Sequence, residues 1–308
     1  MNYRRLLTYS LLNIIIVFSS CSKELVIDET TQIDPFHISI CALGNSYTSD
    51  SFSYVPFILK EYGYTCSLHI YCRPNGSLKL LDSDWSNKSS SLYFYIDTRF
   101  DSEWQSSESI APADLLLKER WDIITVQQVS TQVRNKASYS PYLDNILIKI
   151  GKSIKYPATL AWFMAFNGAN DNENDVNLDV QKDIVGSYPF DLVLPVSTAI
   201  FNSQANEVLA RIGGHKNRKL YCSDGSHLQE GLPCYIAALA IVEALLRKMC
   251  SSENVLGDKI RPTQDWILSV NGLTRHGGST GVTDSNCILA QKAAINANDY
   301  PFKIIPVE

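Results

Sequence analysis

Two short stretches hold the residue types that hydrolytic chemistry needs. Gly44-Asn45-Ser46 ends an apolar run, Ile38-Ser39-Ile40-Cys41-Ala42-Leu43, and Asp224-Gly225-Ser226-His227 lies far down the chain. A serine hydroxyl is a weak nucleophile until a base takes its proton. That base is usually a histidine held in one tautomer by a carboxylate or carbonyl. The chain has five histidines. His37 and His69 lie in strand-like runs and read as structural. His215 sits in a Gly-Gly loop, and His276 lies between Arg275 and Gly277 with no nearby acid. His227 has Asp224 three residues before it, within one turn. Each stretch also has a plain structural reading. Gly44–Ser46 reads equally as a strand-to-helix turn capped by Ser46 or Thr48, and Asp224 as a helix N-cap before an exposed histidine.

Other residues that could serve such a site follow predicted strands. Gly76 lies in the turn Arg73-Pro74-Asn75-Gly76-Ser77, and Gln127 and Gln128 follow Trp121–Val126. Trp162 and Phe166, at the end of another strand, read as core first and pocket lining second. Metal chemistry has little support. No Cys/His cluster has zinc spacing, and Asn170–Asp175 lacks the glycine and distal glutamate of a calcium loop. No Gly-rich phosphate loop is present, and no cofactor is implied.

The elements that must position these residues alternate in type. His37–Leu43, Thr65–Tyr71, Trp121–Val126, Ala158–Phe163 and Leu192–Leu194 read as strands by apolar run and bounding turns. Helical spacing marks Ser53–Tyr62, Ala113–Glu119, Pro141–Ile150, a stretch reaching about Val185, Thr198–Ile212, Leu232–Met249 and Asp284–Ala297. This alternation predicts a parallel sheet of about five strands with helices on both faces. Ligands of such sheets sit at the carboxyl ends of the strands. Ser46, Gly76, Gln127 and Gln128 would share that edge. Residues 80–109, rich in serine and aromatics, read as an insertion over the active-site edge, with a small hairpin near Ser91–Ile96.

With 308 residues, 45% hydrophobic and 19% charged, the chain can bury a substantial core. A net charge of -5 offers no electrostatic reason for a nucleic-acid partner. Arg4 and Arg5, the apolar run Leu11–Phe18 and Ser19-Ser20-Cys21 form an export signal too short to span a membrane. Residues 1–20 read as signal peptide, 21–35 as a tether and 36–308 as the functional domain. An ordinary secretory signal is the alternative. Of eight cysteines, Cys21 opens the tether just after the signal, and Cys41 and Cys66 read as small core residues.

Three blocks carry a family resemblance: Gly44-Asn45-Ser46-Tyr47-Thr48, Trp121–Gln128 and Asp224-Gly225-Ser226-His227-Leu228. Together they resemble the SGNH, or GDSL-type, hydrolase family, in a branch of exported bacterial lipoproteins with G-N-S-[FY]-[ST] and D-G-x-H-L blocks. The resemblance implies a three-layer, flavodoxin-like α/β/α sandwich and ester hydrolysis without a metal. It implies Ser46 as nucleophile, His227 as general base then acid, and Asp224 as its orienting partner. Gly76 (or, one position earlier, Asn75) and Gln128 or Gln127 match the oxyanion donors, with glutamine where the family has asparagine. Ser19-Ser20-Cys21 resembles a lipobox, implying lipidation of Cys21 and anchoring in the envelope of a Gram-negative bacterium. The substrate class by analogy is an acyl ester, such as O-acetyl, on a carbohydrate or related small molecule. A surface lipoprotein that binds a glycan or protein on the same scaffold is the alternative. Both readings face one geometric demand: Ser46 Oγ must lie within hydrogen-bonding reach of a His227 ring nitrogen.

Overall fold

The computed structural model describes residues 34–211, 219–250, 255–256, 273 and 278–307. The predicted signal peptide, Cys21, nearly all of the tether, His215 and His276 lie outside the described residues. The first strand, β1 (His37–Gly44), is buried from Ile38 onward. It is followed by α1 (Ser46–Phe52) and α2 (Val55–Glu61), then β2 (Thr65–Cys72) and α3 (Leu78–Asn87). Next come β3 (Ser91–Asp97), β4 (Gln105–Ile110), α4 (Pro112–Leu116) and β5 (Ile123–Val126). The pattern continues through α5 (Tyr142–Ser153), β6 (Thr159–Phe163), α6 (Asn174–Ser187), β7 (Leu192–Leu194), α7 (Val196–Gln204) and α8 (Glu207–Ala210). A short β8 (Glu230–Gly231) pairs with β9 (Ser279–Thr280) around α9 (Leu232–Cys250), and α10 (Asp284–Asp299) follows.

The described strands form a seven-stranded sheet in the order β4-β3-β2-β1-β5-β6-β7. β2, β1, β5, β6 and β7 run parallel, so the predicted five-strand parallel sheet is present. β1 lies between β2 and β5, with Leu43 opposite both Tyr71 and Val126. Strands buried on both faces need nearly continuous apolar runs, which β1 and β5 have apart from the buried Ser39 and Thr125. Helices flank the sheet in two groups. α1, α2, α7, α9 and α10 pack among themselves, and α3, α4 and α5 form the other group. α9 is buried from Leu232 to Leu246. Its Glu243 is buried with them, 2.6 Å from Arg247 Nε, and accepts the backbone N–H groups of Val255 and Leu256. Among the described residues no helix is long and apolar enough to cross a membrane.

Several elements depart from the sequence reading. Residues 80–109 do not lie over the sheet as a separate insertion. α3 occupies their start, and β3 and β4 continue the sheet antiparallel beyond β2. The physical reason is that β2 would otherwise present a row of unpaired backbone groups, which β3 covers. Trp85 and Tyr93 are consequently core residues, whereas Phe100 stands in solvent. The expected helix over 198–212 is two, α7 and α8, separated where Asn206 caps the second through Leu209 N–H. α1 begins at Ser46 itself, seven residues before the helix predicted from Ser53. The seven described cysteines are all thiols, and Cys41 and Cys66 are buried as expected.

The turn from β1 into α1 depends on a close approach at Gly44. A Cβ there would collide with Thr48 Oγ1 and come 3.0 Å from Gln127 Cδ. Gly44→Ala is therefore expected to destabilise the fold by about 1–3 kcal/mol through overpacking. The urea midpoint measures this, and an unchanged midpoint would mean that the turn has room the packing denies.

Candidate active site

Ser46 occupies the first position of α1 because Asn45 caps the helix. Asn45 is extended, and its Oδ1 accepts the Tyr47 N–H at 2.9 Å. Its amide nitrogen donates to Gly76 O at 3.0 Å, tying the ends of β1 and β2 together. The serine thus stands at the carboxyl edge of the sheet, with the loops after β2, β5 and β6 beside it.

His227 reaches that edge on a loop closed by a two-stranded bridge. Tyr221 and Leu228 are bridge partners, with Cys222 N–H donating to His227 O at 2.8 Å. Within the loop Asp224 Oδ1 accepts the N–H groups of Ser226 (2.8 Å) and His227 (3.1 Å). Gly225 takes φ +69°, a left-handed conformation that glycine adopts without strain. Its carbonyl accepts Ala169 N–H at 2.7 Å, docking the loop on the segment after β6. The alternative role of Asp224 as a helix N-cap is not what it does here: α9 starts only at Leu232.

These turns bring the predicted trio together. His227 Nε2 lies 2.8 Å from Ser46 Oγ, and Asp224 Oδ2 lies 2.6 Å from His227 Nδ1. An ionised carboxylate can only accept, so the Asp224 contact places a proton on Nδ1 and leaves Nε2 as an acceptor for the serine proton. Burial pushes the Asp224 carboxyl up, but hydrogen bonds from the His227 ring and from the Ser226 and His227 N–H groups outweigh it, leaving the group at about 2. The geometry is that of a hydroxyl, a base and an orienting acid in series.

Beneath His227 sits an aromatic stack. Tyr47 lies against Phe166 with ring centroids 4.3 Å apart and nearly parallel, and meets the His227 ring edge-on at 5.7 Å. Phe166 is therefore both core and support for the site. Trp162 is fully buried, and its Nε1 donates to Gln181 Oε1, so it belongs to the core. Burial, the largest influence, raises the Tyr47 phenol to about 12, so it stays neutral. The Asn/Asp-rich loop after β6 reaches across the edge, and both Asp171 and Glu173 pair with Arg134 from the loop after β5.

The expected oxyanion donors are placed differently from one another. Gly76 N–H donates to Arg73 O at 2.8 Å within its turn, and it is the Gly76 carbonyl that faces Asn45. Gln128 Nε2 donates to Ser138 O and Oγ, while its Oε1 accepts the Leu78 and Val129 N–H groups. Gln127 Oε1 accepts Thr48 Oγ1–H at 2.9 Å, and its Nε2 is buried with no partner among the described residues. Of the three side-chain and backbone donors, the Gln127 amide alone has unused capacity in this conformation.

One residue of this region escaped the sequence reading. Asp50, one turn after Ser46 on α1, is fully buried and accepts Leu228 N–H at 3.2 Å. A signal for it existed: it is the sole charged residue between Asn45 and Leu59.

No known family profile matches the chain, and no curated protein matches it. Among solved structures, it is similar to a DUF4886 family protein from Bacteroides uniformis. That likeness has a TM-score of 0.69 at 20% identity and covers 88% of this chain and 98% of the other. A Slackia heliotrinireducens protein named "putative SGNH hydrolase" matches at a TM-score of 0.42 and 14% identity, over 68% of this chain and 99% of that one. The Bacteroides likeness shows the fold, an α/β architecture with a mostly parallel sheet flanked by helices.

The low Asp224 value has a consequence for stability. A carboxyl depressed from 3.8 to about 2 stabilises the folded state above its ordinary value, and that contribution is lost as pH falls through about 2. The urea midpoint of the wild type should therefore fall more steeply than that of Asp224→Asn between about pH 4 and pH 2. Parallel slopes for the two proteins would contradict the pairing.

Proposed function

We propose that this chain is an exported serine esterase of SGNH type. Its substrate is an ester, such as an O-acetyl group, on a carbohydrate or related small molecule. The observation that supports it most is the unbroken series Ser46 Oγ, His227 Nε2, His227 Nδ1 and Asp224 Oδ2, at 2.8 and 2.6 Å. Ser46 Oγ attacks the ester carbonyl carbon while its proton passes to His227 Nε2. The tetrahedral intermediate collapses, and the imidazolium returns that proton to the departing alcohol oxygen. Water, deprotonated by His227, then releases the acid and restores Ser46. Asp224 holds the imidazole in the tautomer that accepts and stabilises the imidazolium. Charge on the carbonyl oxygen calls for preorganised donors, for which the Gln127 amide and the Ser46 N–H are the candidates. Cys21 carries the lipid that anchors the protein in the cell envelope, at the periplasmic or the surface face of the outer membrane.

The engaged donors of Gly76 and Gln128 favour a second reading, a surface lipoprotein that binds a glycan or protein with little turnover. A fluorophosphonate probe separates the two. Ser46 is expected to be labelled in the wild type, and Ser46→Ala to lower turnover of acetyl esters by about 10³-fold or more. Folded wild-type protein that resists the probe would favour the binder, and equal turnover by Ser46→Ala would remove Ser46 from the mechanism.

A further inference from the structure

Hydrogen bonds, besides the edge-on contact of Tyr47 with the His227 ring, join the segment that carries Ser46 to the segment that carries His227. Besides the Ser46–His227 contact, Asp50 Oδ2 accepts Leu228 N–H at 3.2 Å, and Tyr54 OH accepts Gly231 N–H at 3.2 Å. Ser46, Asp50 and Tyr54 recur every four residues, so α1 and the turn after it present them to the same neighbour. The bonds described above, donated by Cys222 N–H and accepted by Asp224, close the His227 loop on itself. Those of Asp50 and Tyr54 set its height against the helix that holds the nucleophile. The Leu228 carbonyl is held as well, by the Cys222 thiol at 3.2 Å.

We infer that Asp50 is a positioning residue, which fixes His227 over Ser46 by binding the backbone of the next residue along. The inference rests on the proposed role of Ser46 and His227. Leu228 is one peptide from His227, so a shift of its N–H moves the imidazole directly. A buried N–H left without an acceptor also costs free energy, which the loop would relieve by moving. The side chain is fully buried on the inner face of α1, so Asp50 acts through the loop and not on the substrate. Burial pushes its carboxyl well above the ordinary range, opposed by the Leu228 N–H. A protonated acid and an amide present the same carbonyl acceptor, which makes asparagine the conservative replacement.

The test uses the full mature chain with the Asp50→Ala and Asp50→Asn substitutions. The rate of fluorophosphonate labelling at Ser46 is measured per folded molecule, alongside kcat and KM for an acetyl ester. Asp50→Ala should slow labelling and kcat by about 100-fold, the scale of a misplacement near 1 Å, with KM little changed. Asp50→Asn should recover most of that loss. Asp50→Ser, whose hydroxyl is too short to reach Leu228 N–H, replaces the alanine variant if that one does not fold. A wild-type labelling rate in Asp50→Ala, or an asparagine variant as slow as the alanine one, overturns the inference. The nitrogen chemical shifts of the His227 ring supply a readout independent of turnover. They should change in Asp50→Ala and be restored in Asp50→Asn. If wild-type Ser46 does not react with the probe, the esterase reading fails. Unchanged ring shifts in Asp50→Ala would overturn the positioning role on their own.

Discussion

The end of β1 is enclosed on every side, and the site follows from that. β2 and β5 pair along its two edges, Gly44 O accepts Arg73 N–H, and Thr48 and Gln127 close over the Gly44 Cα. A chain leaving this position cannot continue as a strand. It turns at once into α1, with Asn45 satisfying one helix N–H and bonding the neighbouring loop. The serine that follows is held by a capped helix on one side and the sheet on the other. Its position is fixed by the core beneath it, as the proposed role of a nucleophile would require.

Two carboxylates near Ser46 show how environment decides behaviour. Asp224 is partly in solvent and accepts three hydrogen bonds, which hold it ionised down to about 2. Asp50 is fully buried, with neighbouring acids Asp224 and Glu230, and is pushed the other way. The first suits a group that must balance charge on an imidazole. The second suits one that holds a backbone in place. Chemistry of the side chain is identical in the two, and only desolvation and hydrogen bonding differ.

Much of the fold was legible because its signals are local. The apolar runs of β1, β5 and β6 and the alanine-rich α9 declare themselves without knowledge of partners. The hairpin near Ser91–Ile96 was legible too, but not that it extends the sheet beyond β2, because which strand an aromatic, half-polar hairpin pairs with is set by tertiary contact. α3 was missed for a related reason. Leu78, Leu81 and Trp85 give it an apolar stripe, but the serines and aspartates between them read as loop.

At the site, Ser46, His227 and Asp224 were legible as residue types at suggestive places, since a nucleophile, a base and an acid are distinctive chemically. Asp224 and His227 also lie close enough in sequence for their contact to be local. That His227 meets Ser46 across 181 positions is a product of the sheet order and of the loop docked on Ala169. The residues expected as oxyanion donors were the least legible. An amide side chain serves or fails according to which way it points, and that is set by distant partners: Thr48 for Gln127, Ser138 for Gln128. By itself, the sequence determined the α/β alternation and which residues could do chemistry. The tertiary structure decided which of them meet and which donors stay unengaged, because hydrogen-bond partners remote in the chain are assigned only when the strands pair and the helices pack.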